Sequence, residues 1–248
     1  RVYNNELPNV ASSTTKNIEG YPIHGWFGYK VAGVNPENGH QMVYARKLQS
    51  QVVDNKVVNT YTDEIIDLNT ISTADLQSKY RTYYLGHVDP NTYGGFNTRF
   101  VYKSFEIASS FVYASGNKIL GFQDRREGPD GAVDEITASR TKIQAFRWRQ
   151  PSDVTDIPAY NRTASSYTSY LVDSDLESGA YVKCTELALS WRANPLFLGR
   201  SIVKTLKASI IANNLFTLTN YSGTDPETQT TFGYPTTPSL TFSLNIGF

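Results

Sequence analysis

The last ten residues of the chain alternate strictly between large apolar side chains and small or polar ones. The apolar residues are Leu240, Phe242, Leu244, Ile246 and Phe248, and the others are Ser239, Thr241, Ser243, Asn245 and Gly247. Because successive side chains of a β-strand point to opposite faces, the stretch is predicted to be a strand with one apolar face. A tilted strand of about 9–11 residues crosses the hydrocarbon of a bilayer. We therefore predict that the five apolar side chains face a membrane, with burial in a soluble sheet as the alternative.

The composition agrees with a β-rich chain and excludes several other classes of protein. The 248 residues carry 23 basic and 23 acidic side chains, so no excess of positive charge points to a nucleic-acid partner. No apolar run approaches the roughly 18 residues of a membrane helix. With 17 Tyr and 12 Phe against one Cys, the composition favours strands and provides no disulfide framework.

Six earlier segments also alternate in the manner of strands, although the pattern of residues 41–48 is poor. Together with the final segment they make seven strands, predicted over residues 25–33, 41–48, 96–102, 105–113, 180–191, 204–215 and 239–248. A short helix is expected near Ala74–Tyr80, within an otherwise polar and aperiodic region. The predicted fold is therefore all-β.

The predicted strand at residues 180–191 changes phase along its length. Its first apolar residues (Ala180, Val182, Cys184) have even numbers, and the later ones (Leu187, Leu189, Trp191) have odd numbers. A one-residue β-bulge at Thr185 and Glu186 would keep all six side chains on one face.

Charges and connection lengths both bear on whether these strands meet lipid. On the clearly patterned strands, the charged residues that lie opposite the large apolar side chains are Lys30, Arg99, Lys103, Glu106, Lys183, Glu186 and Lys207. Lys204 is an exception, but it lies at a strand end, where a lysine can reach the membrane interface. A charge facing lipid at mid-bilayer costs about 2–4 kcal/mol, but a soluble sandwich would sort its charges in the same way.

The connections discriminate better, because short ones (near residues 35–39, 103–104 and 192–203) alternate with long ones (49–92, 115–179 and 217–238). This alternation is typical of bacterial membrane barrels, with short periplasmic turns and long extracellular loops.

Several segments, taken in order along the chain, resemble one known family. They are Glu19–Ile23, Gly28–Lys30, Gly33–Gly39, Tyr93–Phe96, Phe100–Lys103, Ala212–Phe216, Tyr221–Glu227 and the ending from Gly233 to Phe248. These segments look like the C-terminal part of the SusC/RagA family, which are TonB-dependent outer-membrane transporters of Bacteroidetes. Two departures are Ser104, where a Gly is usual, and Cys184, where a Leu is usual.

The resemblance implies a transmembrane antiparallel β-barrel of about 22 strands with a plugged lumen. Residues 1–248 would form the C-terminal portion of that barrel, about seven strands, without the plug domain and the N-terminal strands. The implied location is the bacterial outer membrane. The implied function is TonB-energised uptake of an oligosaccharide or a peptide. The implied partners are the rest of the barrel, a SusD-like lid lipoprotein, TonB acting through the plug, and membrane lipid.

No motif indicates enzyme chemistry, a metal site or a cofactor. His24, His40 and His87 lack the spacing of paired metal ligands, and no nucleophile elbow or phosphate-binding loop is present. Aromatic side chains are the candidate substrate-binding residues, because they offer stacking faces for a sugar or a peptide: Trp26, Trp148, Tyr160, Tyr167 and Tyr170.

The alternative for each aromatic residue is packing between loops or a place in the girdle of aromatic residues at the membrane interface. Tyr29, Tyr102, Tyr113 and Trp191 are assigned to that girdle. A passive porin-like barrel and a soluble glycan-binding β-sandwich remain the alternative functions.

Overall fold

The computed structural model describes most of the chain and divides it into two compact units. The described residues are 15–16, 18, 20–53, 56–121, 145–159, 171–193, 202–228, 234 and 236–248. Unit 1 comprises Arg1–Val88 and Leu120–Glu177, and unit 2 comprises Asp89–Ile119 and Ser178–Phe248. Within the described part of the chain, every helix is too short to pass through a bilayer.

Strands dominate both units. In chain order they are β1 (Thr15–Lys16), β2 (Gly25–Gly28), β3 (Lys30–Val34), β4 (Gln41–Val53), β5 (Lys56–Asp67), β6 (Tyr80–Arg81), β7 (Tyr83–His87), β8 (Thr92–Tyr102), β9 (Phe105–Ser115), β10 (Lys118–Leu120), β11 (Leu176–Ser178), β12 (Tyr181–Arg192), β13 (Thr205–Thr219) and β14 (Ser239–Gly247). Helix α1 (Thr73–Lys79) lies between β5 and β6, at the predicted place, and a 3-10 turn (Asp173–Asp175) precedes β11.

Unit 2 contains one antiparallel sheet of five strands in the order β14-β13-β12-β9-β8. These are the last five of the seven predicted strands. They run for 9 to 15 residues, which meets the length that a tilted strand needs to cross a bilayer. The prediction of an all-β fold built from antiparallel strands is confirmed by this sheet.

A two-residue turn joins β8 to β9 and fixes their register. Tyr102 pairs directly with Phe105, and Lys103 has a φ of 52°, a positive value that tight hairpin turns require. The turn falls where the sequence predicts a short connection, and the register places Phe96, Phe100 and Tyr102 on the same face as Phe105 and Phe111.

The register of β12 shifts between Cys184 and Glu186 against both of its neighbours, β9 and β13. Thr185 is the residue left out of the ladder, and its hydroxyl donates to the carbonyl oxygen of Ser110 at 3.1 Å. On β13 the compensating irregularity includes Asn214, whose φ is 50°. The irregularity lies at the position predicted for the bulge, and Glu186 pairs with polar residues of both neighbours, Ser110 and Asn213.

Unit 1 has its own apolar core. A three-stranded sheet (β1-β2-β7) and a second sheet (β3-β4-β5, with β6 beside β4) supply its strands. The main cluster of buried residues is Tyr29, Val43, Ala45, Ile66, Leu68, Leu76 and Val172. Leu76 is contributed by α1, which places the inner face of the helix in the core.

Helix α1 is capped at its first turn and paired at its last. Ser72 accepts a hydrogen bond from the Asp75 amide through its hydroxyl oxygen, and Lys79 lies 2.7 Å from the Asp75 carboxylate. The hydrogen bond from Lys79, followed by that from Ser72, lowers the pKa of Asp75. Because a carboxylate with a lowered pKa stabilises the folded state above its unfolded pKa, this contribution is lost as the pH falls through the folded pKa.

The first predicted strand, residues 25–33, differs from the sequence expectation. It is interrupted at Tyr29, which instead bridges to Val172, and all four residues of β2 are buried. Tyr29 is 4% exposed, so its assignment to the membrane girdle is wrong. Trp26 and Phe27 lie on opposite faces of β2 and both are buried, which a strand with one face towards lipid would not show.

The region 49–92, predicted to be irregular apart from the helix, is mostly ordered structure. It contains the end of β4, all of β5, α1, β6 and β7. Polar side chains on both faces of the β4–β5 hairpin hide its period of two in the sequence. The two strands nevertheless pair along their whole length, from Met42 opposite Asp67 to Val53 opposite Lys56.

The turn at residues 35–39 is in contact with the segment 145–159. The indole nitrogen of Trp148 donates to the carbonyl oxygen of Pro36 at 3.1 Å, and the amide of Ala159 donates to Gly39 at 2.8 Å. The alternation of loop lengths predicts that this turn is periplasmic and that the loop 115–179 faces outwards. The two placements cannot both hold, because two segments in direct contact cannot lie on opposite sides of a membrane.

Replacing Gly39 should loosen the contact between this turn and the segment 145–159. Gly39 has a φ of 74°, and an added Cβ would lie 2.4 Å from the Trp148 ring, so Gly39→Ala combines backbone strain with a clash. We expect the free energy of local opening to fall by about 2 kcal/mol, measured by hydrogen exchange of the amides in residues 145–159. Gly20→Ala is the control, because Gly20 has a similar φ of 86° and no atom within 4 Å of the added Cβ. Equal effects of the two substitutions would show that the contact with Trp148 contributes nothing.

Candidate functional site

One row of side chains crosses the whole sheet of unit 2 and consists only of large apolar residues. The register aligns Phe100, Ile107, Leu189, Ile210 and Phe242, one from each of β8, β9, β12, β13 and β14. Their exposed fractions are 65%, 45%, 43%, 42% and 72% in the same order. Five aligned apolar side chains that remain exposed to this degree form a surface that water does not favour.

Neighbouring rows extend this surface. The row on one side contains Tyr102, Phe105, Trp191, Ala208 and Leu244. The row on the other side contains Leu187, Ala212 and Leu240 with Thr98 and Ser109, whose hydroxyls lie 2.6 Å apart, and the row beyond it contains Phe96, Phe111, Cys184 and Phe216. The rings of Phe96 and Phe111 stack with their centroids 4.9 Å apart. Tyr102 and Tyr113 lie near opposite ends of the hairpin, which is the spacing that two interfacial girdles require.

The opposite face of the sheet is small and polar. One central row contains Ser190, Ser209 and Ser243, and the hydroxyls of Ser190 and Ser209 lie 2.9 Å apart. Arg99 makes two hydrogen bonds to Glu106 on this face, at 2.8 and 2.9 Å. The two faces therefore separate apolar surface from charge along the entire width of the sheet.

A buried lysine holds the residues after β13 against the polar face. The Lys183 ammonium donates to Glu227 at 2.6 Å and lies 3.7 Å from the Asp225 carboxylate. The side chains of Lys183 and Asp225 are both only 4% exposed. Asp225 also accepts hydrogen bonds from the Glu227 amide and the Thr236 hydroxyl, so its carboxylate is fixed by three groups.

A five-stranded antiparallel sheet with one exposed apolar face, one polar face and strands of membrane-spanning length defines a class of protein. It is a wall segment of a transmembrane β-barrel. Such a barrel keeps hydrocarbon on one side of its wall and a polar interior on the other.

Two curated proteins are similar to this chain in amino-acid sequence. The chain is 28% identical over 194 residues to TonB-dependent receptor P3 of Formosa agariphila, which covers 72% of this chain and 18% of that protein. It is 25% identical over 166 residues to TonB-dependent receptor P39 of the same organism, covering 62% and 16%. Because the matches cover 18% and 16% of these curated relatives, the chain spans less than a fifth of their length. No family model matches the sequence.

Solved structures agree on the fold. A chain of the RagAB peptide importer superposes with a TM-score of 0.72 in the closed-closed state and 0.69 in the open-open state, at 21% identity. Each superposition covers 96% of this chain and 24% of the other. The predicted resemblance to SusC/RagA-type TonB-dependent receptors is confirmed by these likenesses in sequence and fold. The relatives are named as receptors and importers rather than enzymes.

The aromatic residues predicted to bind substrate do not form one site. Trp26 is 8% exposed and packs with Leu171 and Leu176, so it belongs to the core of unit 1 and offers no stacking face. Trp148 is half-buried, and its indole nitrogen donates a hydrogen bond to the carbonyl oxygen of Pro36. Tyr160, Tyr167 and Tyr170 lie outside the described residues.

The structure also brings together groups that the sequence does not single out. Asp225 and Glu227 stand out in the sequence only as part of a family segment, and no local pattern predicts that they meet Lys183. No group of three potential metal ligands occurs among the residues that the structure describes.

A positive charge in the central apolar row should hinder assembly of the barrel. Phe242→Lys would place an ammonium at the middle of the apolar face, at a cost of about 2–4 kcal/mol if that face meets lipid. We expect a lower yield of folded full-length protein in outer membranes, measured by heat-modifiable mobility in gel electrophoresis. Ser243→Lys is the matched control, since this next residue along β14 lies on the polar face. If both variants assemble equally, the apolar face does not contact hydrocarbon.

Removing the buried ammonium should release the residues that follow β13. Lys183→Met would leave the Asp225 carboxylate buried beside an apolar side chain, which destabilises the contact by about 3 kcal/mol. Faster hydrogen exchange of residues 221–228 in the full-length protein would report the loss. Lys207→Met removes an equal charge from the same face without touching Asp225, so it should leave that exchange unchanged. Unchanged exchange in Lys183→Met would contradict an anchoring role for the lysine.

Proposed function

We propose that the chain is a wall segment of a bacterial outer-membrane importer that takes up a nutrient by a TonB-dependent mechanism. The observation that carries this proposal is the exposed apolar row from Phe100 to Phe242, on a sheet whose other face is polar. The likeness to two TonB-dependent receptors and to the RagAB peptide importer supports it.

The remainder of the barrel is the first partner that the sheet requires. In the described part of the chain, β8 pairs only with β9 and β14 only with β13. Unpaired strand edges are not tolerated in hydrocarbon, because each buried N–H or C=O without a partner costs several kcal/mol. Further strands of the same barrel would pair with both edges.

Unit 1 is assigned to the loops of the importer rather than to its wall. Its strands carry a core of their own, and β2 is buried on both faces. It also contains the segment 145–159, part of a long loop predicted to face outwards. Loops on a rigid scaffold are the usual place for recognition, so unit 1 is the part of this chain that would meet substrate.

The substrate class is an oligosaccharide or a peptide, and the lid is a SusD-like lipoprotein. RagAB, whose fold this chain shares, is a peptide importer with open and closed states. A lid that opens and closes admits substrate by a conformational step and makes no bond. TonB would act on a plug domain, which is not among the residues of this sheet.

Uptake by cells that produce the full-length protein tests the proposal against a passive barrel. Labelled oligosaccharide and peptide mixtures would be supplied to cells with and without TonB, and intracellular label would be measured. We expect uptake of at least one mixture, reduced about tenfold or more when TonB is absent, because the plug blocks diffusion. Cells lacking the full-length gene are the control.

Uptake that is equal with and without TonB would identify a passive porin-like barrel instead. If the protein were a soluble glycan-binding sandwich, it would be recovered from the aqueous fraction without detergent. That alternative also requires a cover for the apolar face, which is exposed in the described residues.

A further inference from the structure

The outer face of the β4–β5 hairpin in unit 1 carries an arginine stacked between tyrosines. The guanidinium carbon of Arg46 lies 4.6 Å from the ring centroid of Tyr61 and 5.8 Å from that of Tyr83. Both distances are within the range of cation–π attraction. The ammonium of Lys30 lies 4.8 Å from the same Tyr83 ring, so two cations converge on one aromatic side chain.

The register explains why these residues share a face. Tyr44 pairs with Ile65, Arg46 with Asp63 and Leu48 with Tyr61, and these residues alternate with Val43 and Ala45, which enter the core. Lys30 on β3 pairs with Tyr44 and so belongs to the same outer face. Tyr44 and Tyr61 are exposed, which leaves aromatic surface beside the cations.

The hydrogen-bonding capacity of Arg46 is not used within the described part of the chain. No carboxylate there lies within ion-pair distance of its guanidinium, although Asp63 is its direct neighbour across the ladder. Asp63 instead accepts a hydrogen bond from the hydroxyl of Tyr83, at 2.6 Å. Burial, with this hydrogen bond, raises the pKa of Tyr83 to about 12, so the hydroxyl remains a donor at neutral pH.

Positive charge exceeds negative charge in the immediate surroundings of Arg46. Lys30 and Arg81 are the other cations on this face, and Arg81 lies opposite Arg46 on β6. Asp63 is the carboxylate that faces Arg46 across the ladder. The next carboxylate of the same parity on β5, Asp67, lies at the end of the strand, where it is 2.7 Å from the ring of His40.

The geometry points to a binding subsite for an anionic group of the ligand, a carboxylate, centred on Arg46. Stacking on tyrosine rings holds the guanidinium in place, and its N–H donors match a carboxylate in a two-bond arrangement. Lys30 adds positive charge, and the exposed rings of Tyr44 and Tyr61 provide apolar contact for the part of the ligand that carries the carboxylate. This inference rests on the proposed function, and it names the charge of the substrate.

Isothermal titration calorimetry with the purified full-length protein tests the subsite without any need for TonB. Two matched pairs of probes distinguish the source of the carboxylate: trigalacturonate against maltotriose, and triglutamate against triglutamine. We expect the wild type to bind the anionic member of at least one pair more tightly. Arg46→Gln should weaken that binding about tenfold or more, because a charge-assisted pair is lost.

The control for this substitution removes a cation from the other face of β4. Lys47 lies next to Arg46 in the chain and pairs with Glu64 at 2.9 Å, on the face opposite the Tyr61 and Tyr83 rings. Lys47→Gln should change the affinity for the anionic probe less than twofold.

A second variant protects the test against simple loss of folding. Asp63→Asn removes the carboxylate that opposes an anionic ligand, while an amide oxygen can still accept from Tyr83. We expect about twofold to threefold tighter binding of the anionic probe, a gain that an unfolded protein cannot produce. The subsite is overturned if neither anionic probe binds better than its neutral counterpart, if Arg46→Gln keeps the wild-type affinity, or if Asp63→Asn binds more weakly. Since import is measured separately by its dependence on TonB, a failed subsite leaves the proposed function standing.

Discussion

Hydrocarbon accepts neither a charge nor an unpaired backbone group, and this constraint organises unit 2. The backbone groups pair along five antiparallel strands, and that pairing aligns residues of equal parity into rows. Once rows exist, a single charged residue on the wrong face would interrupt an apolar surface shared by all five strands. The bulge at Thr185 shows the constraint at work, because it places Glu186 on the polar face beside Ser110 and Asn213 instead of on the face that Val182 and Cys184 occupy.

The polar face of the sheet can hold charged side chains, which the apolar face cannot. It carries a bidentate pair between Arg99 and Glu106 and a buried lysine held by two carboxylates. Breaking a buried pair leaves an uncompensated charge, so Lys183 fixes where the chain goes after β13. In a barrel wall this places an ordered loop segment on the side that faces away from lipid.

Unit 1 follows different rules, because its residues are packed from both sides. Trp26 and Phe27 are neighbours on opposite faces of β2, and both are buried. Its outer surface, by contrast, concentrates aromatic and cationic side chains around Arg46. A core that holds its own strands allows such a surface to be rigid, which reduces the entropy that a bound ligand must overcome.

The wall could be derived from the order of the amino acids alone, because Phe242 and its alternating neighbours predict a one-sided strand. The same period of two recurs in the other four strands of the sheet. The bulge could be located in the same way, since an inserted residue is what shifts the parity of a strand that keeps one apolar face. Residues 25–33 give a misleading pattern, because Phe27, Tyr29 and Val31 show a period of two while Trp26 occupies the other face. The contacts of Trp148 with Pro36, of Asp225 with Lys183 and of Tyr83 with Arg46 were decided by the folded chain and by nothing local. The physical reason is that alternation is a local property of the backbone, whereas these contacts join residues far apart in sequence and depend on how the chain folds back.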